Sequence, residues 1–105
     1  MIVRAGIRIA LIAGALGAAA APAGAADLAN GRTLYGVHCA GCHGANGISV
    51  MPTTPSFARS EKLFQPDIAL MTAIRNGRNA MPAYAGVLTD REIADVISYV
   101  RTLRP

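Results

Sequence analysis

Residues 35–44 read YGVHCAGCHG, and within them His38, Cys39, Cys42 and His43 bring two cysteines and two histidines into six consecutive positions. Three chemistries fit such a segment: a redox dithiol, half of a zinc site, or the anchor of a larger cofactor. The rest of the chain decides among them.

A structural zinc ion takes four protein ligands, usually as two pairs brought from different parts of the chain. Here both cysteines and both histidines of the whole sequence lie in this one segment, so the second pair has no source. A thioredoxin-like dithiol sits beside a βαβ pattern, and no strand pattern competes anywhere in this chain. The remaining reading is C-x-x-C-H, the attachment signature for c-type haem. Its spacing suits the chemistry. On a helical turn Cys39 and Cys42 lie on one side, so each can bond one of two neighbouring vinyl groups, and His43 follows where its imidazole reaches the iron.

Size and export support a cofactor. The chain has 105 residues, one domain at most. It opens with Arg4 and Arg8, runs uncharged from Ile9 to Ala26, and places Ala23-Gly24-Ala25 where signal peptidase recognises A-x-A. We read residues 1–25 as a secretory signal, with cleavage before Ala26 or one residue later, and residues 26–105 as the functional domain. With no Arg-Arg pair, the general secretory route to the periplasm is expected. The alternative is a retained membrane anchor, although the run is rich in Ala and Gly and contains Pro22.

Loss of Arg4 and Arg8 leaves eight basic against six acidic residues, a net +2. The basic residues are scattered, which argues against nucleic acid. A domain of about 80 residues buries only about 60% of its unfolded surface, so its core is marginal. It has no Trp, and a bridge between Cys39 and Cys42 would close too small a loop to help much. Haem supplies the missing apolar bulk.

The periodicity predicts an all-α fold with three main helices and long loops. The first runs from about Leu28 towards Ala40, with Asp27 as N-cap and with Leu28, Gly31, Leu34 and Tyr35 on its inner side. A glycine at Gly31 or Gly36 serves close helix approach rather than helix formation. The second begins at Pro66, carries Ile68, Leu70 or Met71, and Ile74, and stops at Asn76-Gly77. The third opens with the capping box Thr89-Asp90-Arg91-Glu92, followed by Ile93, Val96, Ile97, Val100 and Leu103 on one face. From Gly44 to Gln65 the chain is a Gly/Pro/Ser/Thr-rich loop, of a length usual only where it wraps a ligand.

For the other axial position, Met71 lies inside a helix, whereas Met51 and Met81 each precede a proline that holds them extended. Met81 follows a full helix and its stop signal, where a loop can approach the opposite face, and is the chosen sixth ligand. Met51, eight residues past His43, also has the reach. An open site is the third possibility.

With these residues in place, the chain resembles the class I c-type cytochromes over its whole exported part. The resemblance runs from Gly31 and Tyr35 through Cys39-Ala40-Gly41-Cys42-His43 and Pro55 to Asn76-Gly77, Met81-Pro82 and the last helix. It implies one covalent haem c with His43 and Met81 as axial ligands. It also implies packing of the first helix on Val96, Tyr99 and Val100. A prolyl carbonyl holding the proximal imidazole N–H is a family feature, assigned to Pro55, with Pro52 close by. Many relatives keep a Trp near the haem propionates; this chain has none, and Arg75, Arg78, Asn79 or Tyr84 are candidates for that place.

The function expected is single-electron transfer in the periplasm, by a carrier rather than an enzyme. Both axial positions are filled, and Met ligation raises the potential. Partners would be other redox proteins: a dehydrogenase, a respiratory complex or an oxidase. They would meet it through a small interface, below about 1,200 Å². Membrane association is expected only if the N-terminal segment is retained. The rival is a gas-binding or peroxidatic haem protein with an open sixth site, but no spare histidine is placed to act as its distal acid–base group.

Overall fold

Helix signals at the two ends of residues 26–105 dominate the architecture. The computed structural model describes residues 25–104 and the isolated Gly6 and Gly14, so the leader read over residues 1–25 otherwise lies outside the described residues. Helix α1 spans Leu28–His38, α2 Ala40–His43, α3 Asp67–Asn76 and α4 Asp90–Val100, with a 3-10 turn at Phe57–Arg59. Among the described residues there is no strand, only isolated bridges of Arg78 with Met81 and Ala85 with Leu88. The expected all-α fold is observed.

Each main helix begins for a local reason. The Asp27 carboxylate accepts the Asn30 N–H at 3.0 Å and caps α1. Pro66, extended at ψ 155°, precedes α3. Thr89 and Glu92 close the capping box of α4 with bonds of 3.1 and 3.0 Å. Helix α1 stops at His38, two residues short of the expected end. Cys39 takes φ −116° and the chain restarts at Ala40 as a single turn.

Helices α1 and α4 cross at Gly31. A Cβ there would lie 2.1 Å from the Asp95 carbonyl oxygen and 3.0 Å from the Tyr99 Cβ. Only a missing side chain allows the two backbones to meet so closely. Around the crossing lie two linked apolar clusters. Tyr35, Leu63, Val96 and Val100 form one, Leu88, Ile93 and Ile97 the other, and Leu34 and Leu70 touch both. Full burial of side chains such as Ile93 and Val96 contributes about 1.5–3 kcal/mol each. Helix α3 presents Leu70, Met71 and Ile74 to this core. Ile68, assigned from its spacing to the same face, is 65% exposed in the first turn of α3, and Leu28, in the first turn of α1, is half exposed.

Two buried or half-buried polar groups tie the ends together. Asp95, 2% exposed on the inner face of α4, accepts the Asp27 N–H at 2.8 Å and the Asn30 side-chain amide at 3.0 Å, with Arg91 at 3.4 Å. Burial alone would raise this carboxyl, but the bonds from Asn30, Asp27 and Arg91 outweigh it and hold it below the usual range. Arg101, just past α4, donates to the carbonyls of Leu63 (2.7 Å) and Gln65 (2.8 Å) and pairs with Asp67. It thereby fastens the long loop and the start of α3 to the last helix.

Candidate functional site

The C-x-x-C-H turn and the two loops that follow α2 and α3 surround a single cleft. His43 ends α2 and is 9% exposed. Its Nδ1 lies 3.0 Å from the Pro55 carbonyl oxygen. A carbonyl only accepts, so Nδ1 carries the proton and Nε2 is left with a free lone pair. Pro52 makes no such contact with the ring. Phe57 stacks on the imidazole, with centroids 4.4 Å apart and planes inclined by 18°. The loop bearing Pro55 and Phe57 is pinned by Ser49 N–H to Ser56 Oγ (2.9 Å) and Ala58 N–H to the Gly47 carbonyl (3.0 Å). Tyr35, buried in the core, donates its hydroxyl to the Gly44 carbonyl at 2.6 Å, one residue past His43; burial pushes this hydroxyl up to about 12.

Cys39 and Cys42 are free thiols on one turn, with the Cys42 N–H on the Cys39 carbonyl at 3.2 Å. Burial, helped by the neighbouring Cys42, pushes the Cys39 thiol up to about 11. Both cysteines open into a small recess of about 70 Å³ shared with His43, Met51, Met81 and Tyr84. It continues into a larger cleft of about 400 Å³ that runs past His43, Met51 and Met81 to Ile97 and Val100 of α4.

Met81 is set by its turn. Arg78 and Met81 exchange backbone hydrogen bonds of 3.0 and 2.9 Å, and Asn79 between them has φ 53°. Gly77 at φ 73° lets this turn fold back on α3, since a Cβ there would come within 2.7 Å of the Met81 carbonyl oxygen. Met51 reaches the same cleft but is 43% exposed, on a segment held by Ser49 Oγ at 2.8 Å from its carbonyl.

Of the side chains weighed for the propionates, Arg75 is bound to Asp90 at 2.8 Å. Tyr84 gives its hydroxyl to the His38 carbonyl at 2.9 Å, and burial holds that hydroxyl above its ordinary range. Arg78 and Asn79 line the larger cleft, and Lys62, not anticipated, lines it from the opposite loop. Sequence reasoning also missed Phe57, which sits in a loop without periodicity. Its only signal was being an aromatic two residues after a candidate prolyl carbonyl.

The donor set fits a flat apolar cofactor held by thioethers. It offers two thiols on one turn, an imidazole nitrogen of fixed tautomer, thioether sulfurs and a largely aliphatic lining. Among the described residues no three His, Cys, Asp or Glu are grouped to hold a bare metal ion. No helix among them is long and apolar enough to cross a membrane.

Comparison with known proteins points the same way. Residues 26–100 match the family described as cytochrome c oxidase, cbb3-type, subunit III. The chain is 40% identical over 97 residues to cytochrome c6 of Thermostichus vulcanus, covering 90% of this chain and 87% of that protein. It is 41% identical over 78 residues to cytochrome c6 of Thermosynechococcus vestitus, covering 72% of this chain and 70% of that one. Among solved structures it is similar to cytochrome c6 of the diatom Phaeodactylum tricornutum, with a TM-score of 0.62 at 31% identity. That match covers 72% of this chain and 92% of the diatom protein.

Proposed function

The chain belongs to the class I c-type cytochromes, and from that premise we propose that His43 and Met81 are the axial ligands of its haem iron. It carries single electrons between redox proteins on one covalently attached haem c. When bound, the haem supplies a one-electron ferric–ferrous couple. Everything else is the work of the chain's own residues.

Cys39 and Cys42 form the two thioethers. His43 offers Nε2, while the Pro55 carbonyl, 3.0 Å from Nδ1, and the Phe57 ring keep the imidazole from turning. Met81 supplies a soft, neutral sulfur that favours the ferrous state and raises the potential. With His43 and Met81 both holding the iron, exogenous ligands would be excluded and little would have to move when an electron arrives. Arg78, and Lys62 across the cleft, line it as cations that would balance the carboxylates of the bound cofactor. The observation that carries this reading is that His43 and both thiols open into one recess with Met81, which its turn with Arg78 holds in place, whereas Met51 beside it is 43% exposed.

Gas binding or peroxidase chemistry is not favoured. It needs an open sixth position and a distal acid–base group, and the one other imidazole, His38, lies on the thiol side with its ring against Tyr84. The leader over residues 1–25 supports export to the periplasm through the general secretory route. The partners there would be a dehydrogenase, a respiratory complex or an oxidase.

Carbon monoxide titration of the reduced protein tests the ligand assignment. Wild type and Met51→Ala should ignore carbon monoxide, and Met81→Ala should bind it and show a lowered potential. Ready binding by the wild type would overturn the assignment of Met81 and bring the open-site reading forward.

A further inference from the structure

Helix α1 ends at His38, where Cys39 takes φ −116°; the Tyr35 carbonyl keeps the Cys39 N–H at 2.9 Å, but the His38 carbonyl loses its regular helical partner. The Cys42 N–H, which a continuous helix would give to His38, goes instead to Cys39 at 3.2 Å. The Tyr84 hydroxyl takes its place on the His38 carbonyl at 2.9 Å. The two rings also meet edge to face, 5.6 Å apart at 77°.

Tyr84 is well placed to transmit that bond. It lies three residues past Met81. Its own N–H is fixed on the Ile74 carbonyl of α3 at 3.0 Å, and its carbonyl accepts Val87 and Leu88, each at 2.9 Å. Its backbone is therefore anchored to α3 and to the approach to α4, and only the hydroxyl crosses the recess. Among the described residues it makes the one hydrogen bond between the Met81 loop, residues 77–88, and the attachment segment, residues 38–43.

We propose that Tyr84 is a latch, a positioning residue that closes the Met81 loop against the haem-attachment turn and sets how readily the Met81 sulfur leaves the iron. The inference rests on the reading of Met81 as the sixth ligand. A phenylalanine would keep the ring contact with His38 and lose only the bond across the recess, so the hydroxyl itself is the functional group.

The experiment uses ferric holoprotein and follows the rate at which excess imidazole displaces Met81, read from loss of the methionine–iron charge-transfer absorption. Tyr84→Phe should react about three to ten times faster than wild type, the factor one neutral hydrogen bond is worth. Asp27→Ala, which removes the α1 cap far from the recess, provides the control. It should lower the melting temperature and leave the imidazole rate unchanged, which separates a latch from general loss of stability. If Tyr84→Phe reacts at the wild-type rate, or no faster than Asp27→Ala, the latch is overturned. If Met81→Ala retains the charge-transfer absorption, the ligand assignment itself fails, a distinct result.

Discussion

Adding one methyl group at Gly31 should damage this protein, whereas the same change five residues later should help it. Both glycines lie in α1, and Ala is the better helix former at either by about 0.5–1 kcal/mol. At Gly36 a Cβ meets nothing within 4 Å, so that gain should appear undiminished. At Gly31 the Cβ would stand 2.1 Å from the Asp95 carbonyl oxygen, where ordinary contact begins near 3.4 Å, a shortfall of 1.3 Å. The obstacle is the backbone of α4, which cannot yield as a side-chain tip would. Separating the helices loosens Tyr35 against Val96 and Val100 and pulls on the Asp95 bonds to Asp27 and Asn30. Overpacking of this kind costs about 1–3 kcal/mol, which exceeds the helix-propensity gain over most of that range. For a domain of this size each kcal/mol moves the midpoint by about 4–8 °C. With backbone as the obstacle the net loss should be about 1–2 kcal/mol, so thermal melts of the haem-loaded variants, followed by far-ultraviolet circular dichroism, should place Gly31→Ala about 4–16 °C below wild type. Gly36→Ala should lie a few degrees above it. A Gly31→Ala protein that melts at or above wild type would refute the close crossing.

The remaining predictions concern groups with no local sequence signal. Asp95 has a folded pKa below its unfolded value, so its contribution is present above the unfolded value near 4 and is lost as pH falls through the lower folded one. The melting temperature should drop across that acid window, and Asp95→Asn should melt lower at neutral pH with a flatter acid limb; an unchanged limb would remove Asp95 from the acid response. Phe57→Leu keeps apolar bulk but loses the stack on His43, worth about 0.5–1.5 kcal/mol. It should shift the paramagnetically displaced histidine ring resonances of the ferric protein, and unmoved resonances would mean that Phe57 does not orient the ring.

How far the sequence could be read depended on the range of the cause. The capping box at Thr89 and the apolar stripe from Ile93 to Val100 are local, and α4 appears where they place it. The Asp27 cap and the Asn76-Gly77 stop are local too, and they bound α1 and α3. The close approach at Gly31 was legible as a type of contact, because a glycine inside a helix needs a packing reason. Its partner, Asp95, was not. An acid in mid-helix reads as solvent-facing, and its burial follows from a meeting with Asp27 across 68 positions of sequence. Tyr84 was one of four candidates for the propionates, and its bond to the His38 carbonyl was not legible, because that carbonyl is exposed by a helix break at Cys39 that no propensity announces.

The loops around the cleft carry the same lesson into energetics. Of the four non-glycine residues with positive φ among the described residues, Thr53, Lys62 and Asn79 line the larger cleft, and the fourth, Ser60, lies two positions from Lys62. Such conformations cost roughly 1–3 kcal/mol each and persist only where the surroundings over-determine them. Part of that determination is internal: the Arg78–Met81 exchange, the Ser49–Ser56 bond and the Arg101 bonds to Leu63 and Gln65. The rest has to come from the cleft. Its inner wall is Ile97 and Val100, members of the two core clusters, so whatever fills it extends both clusters at once. A group that binds the folded chain and not the unfolded one stabilises the fold by its own binding free energy. The covalent haem c of this family is therefore a structural member as well as the redox centre. On the proposed assignment of Met81, the loops that carry these strained residues are the ones that would close around that cofactor.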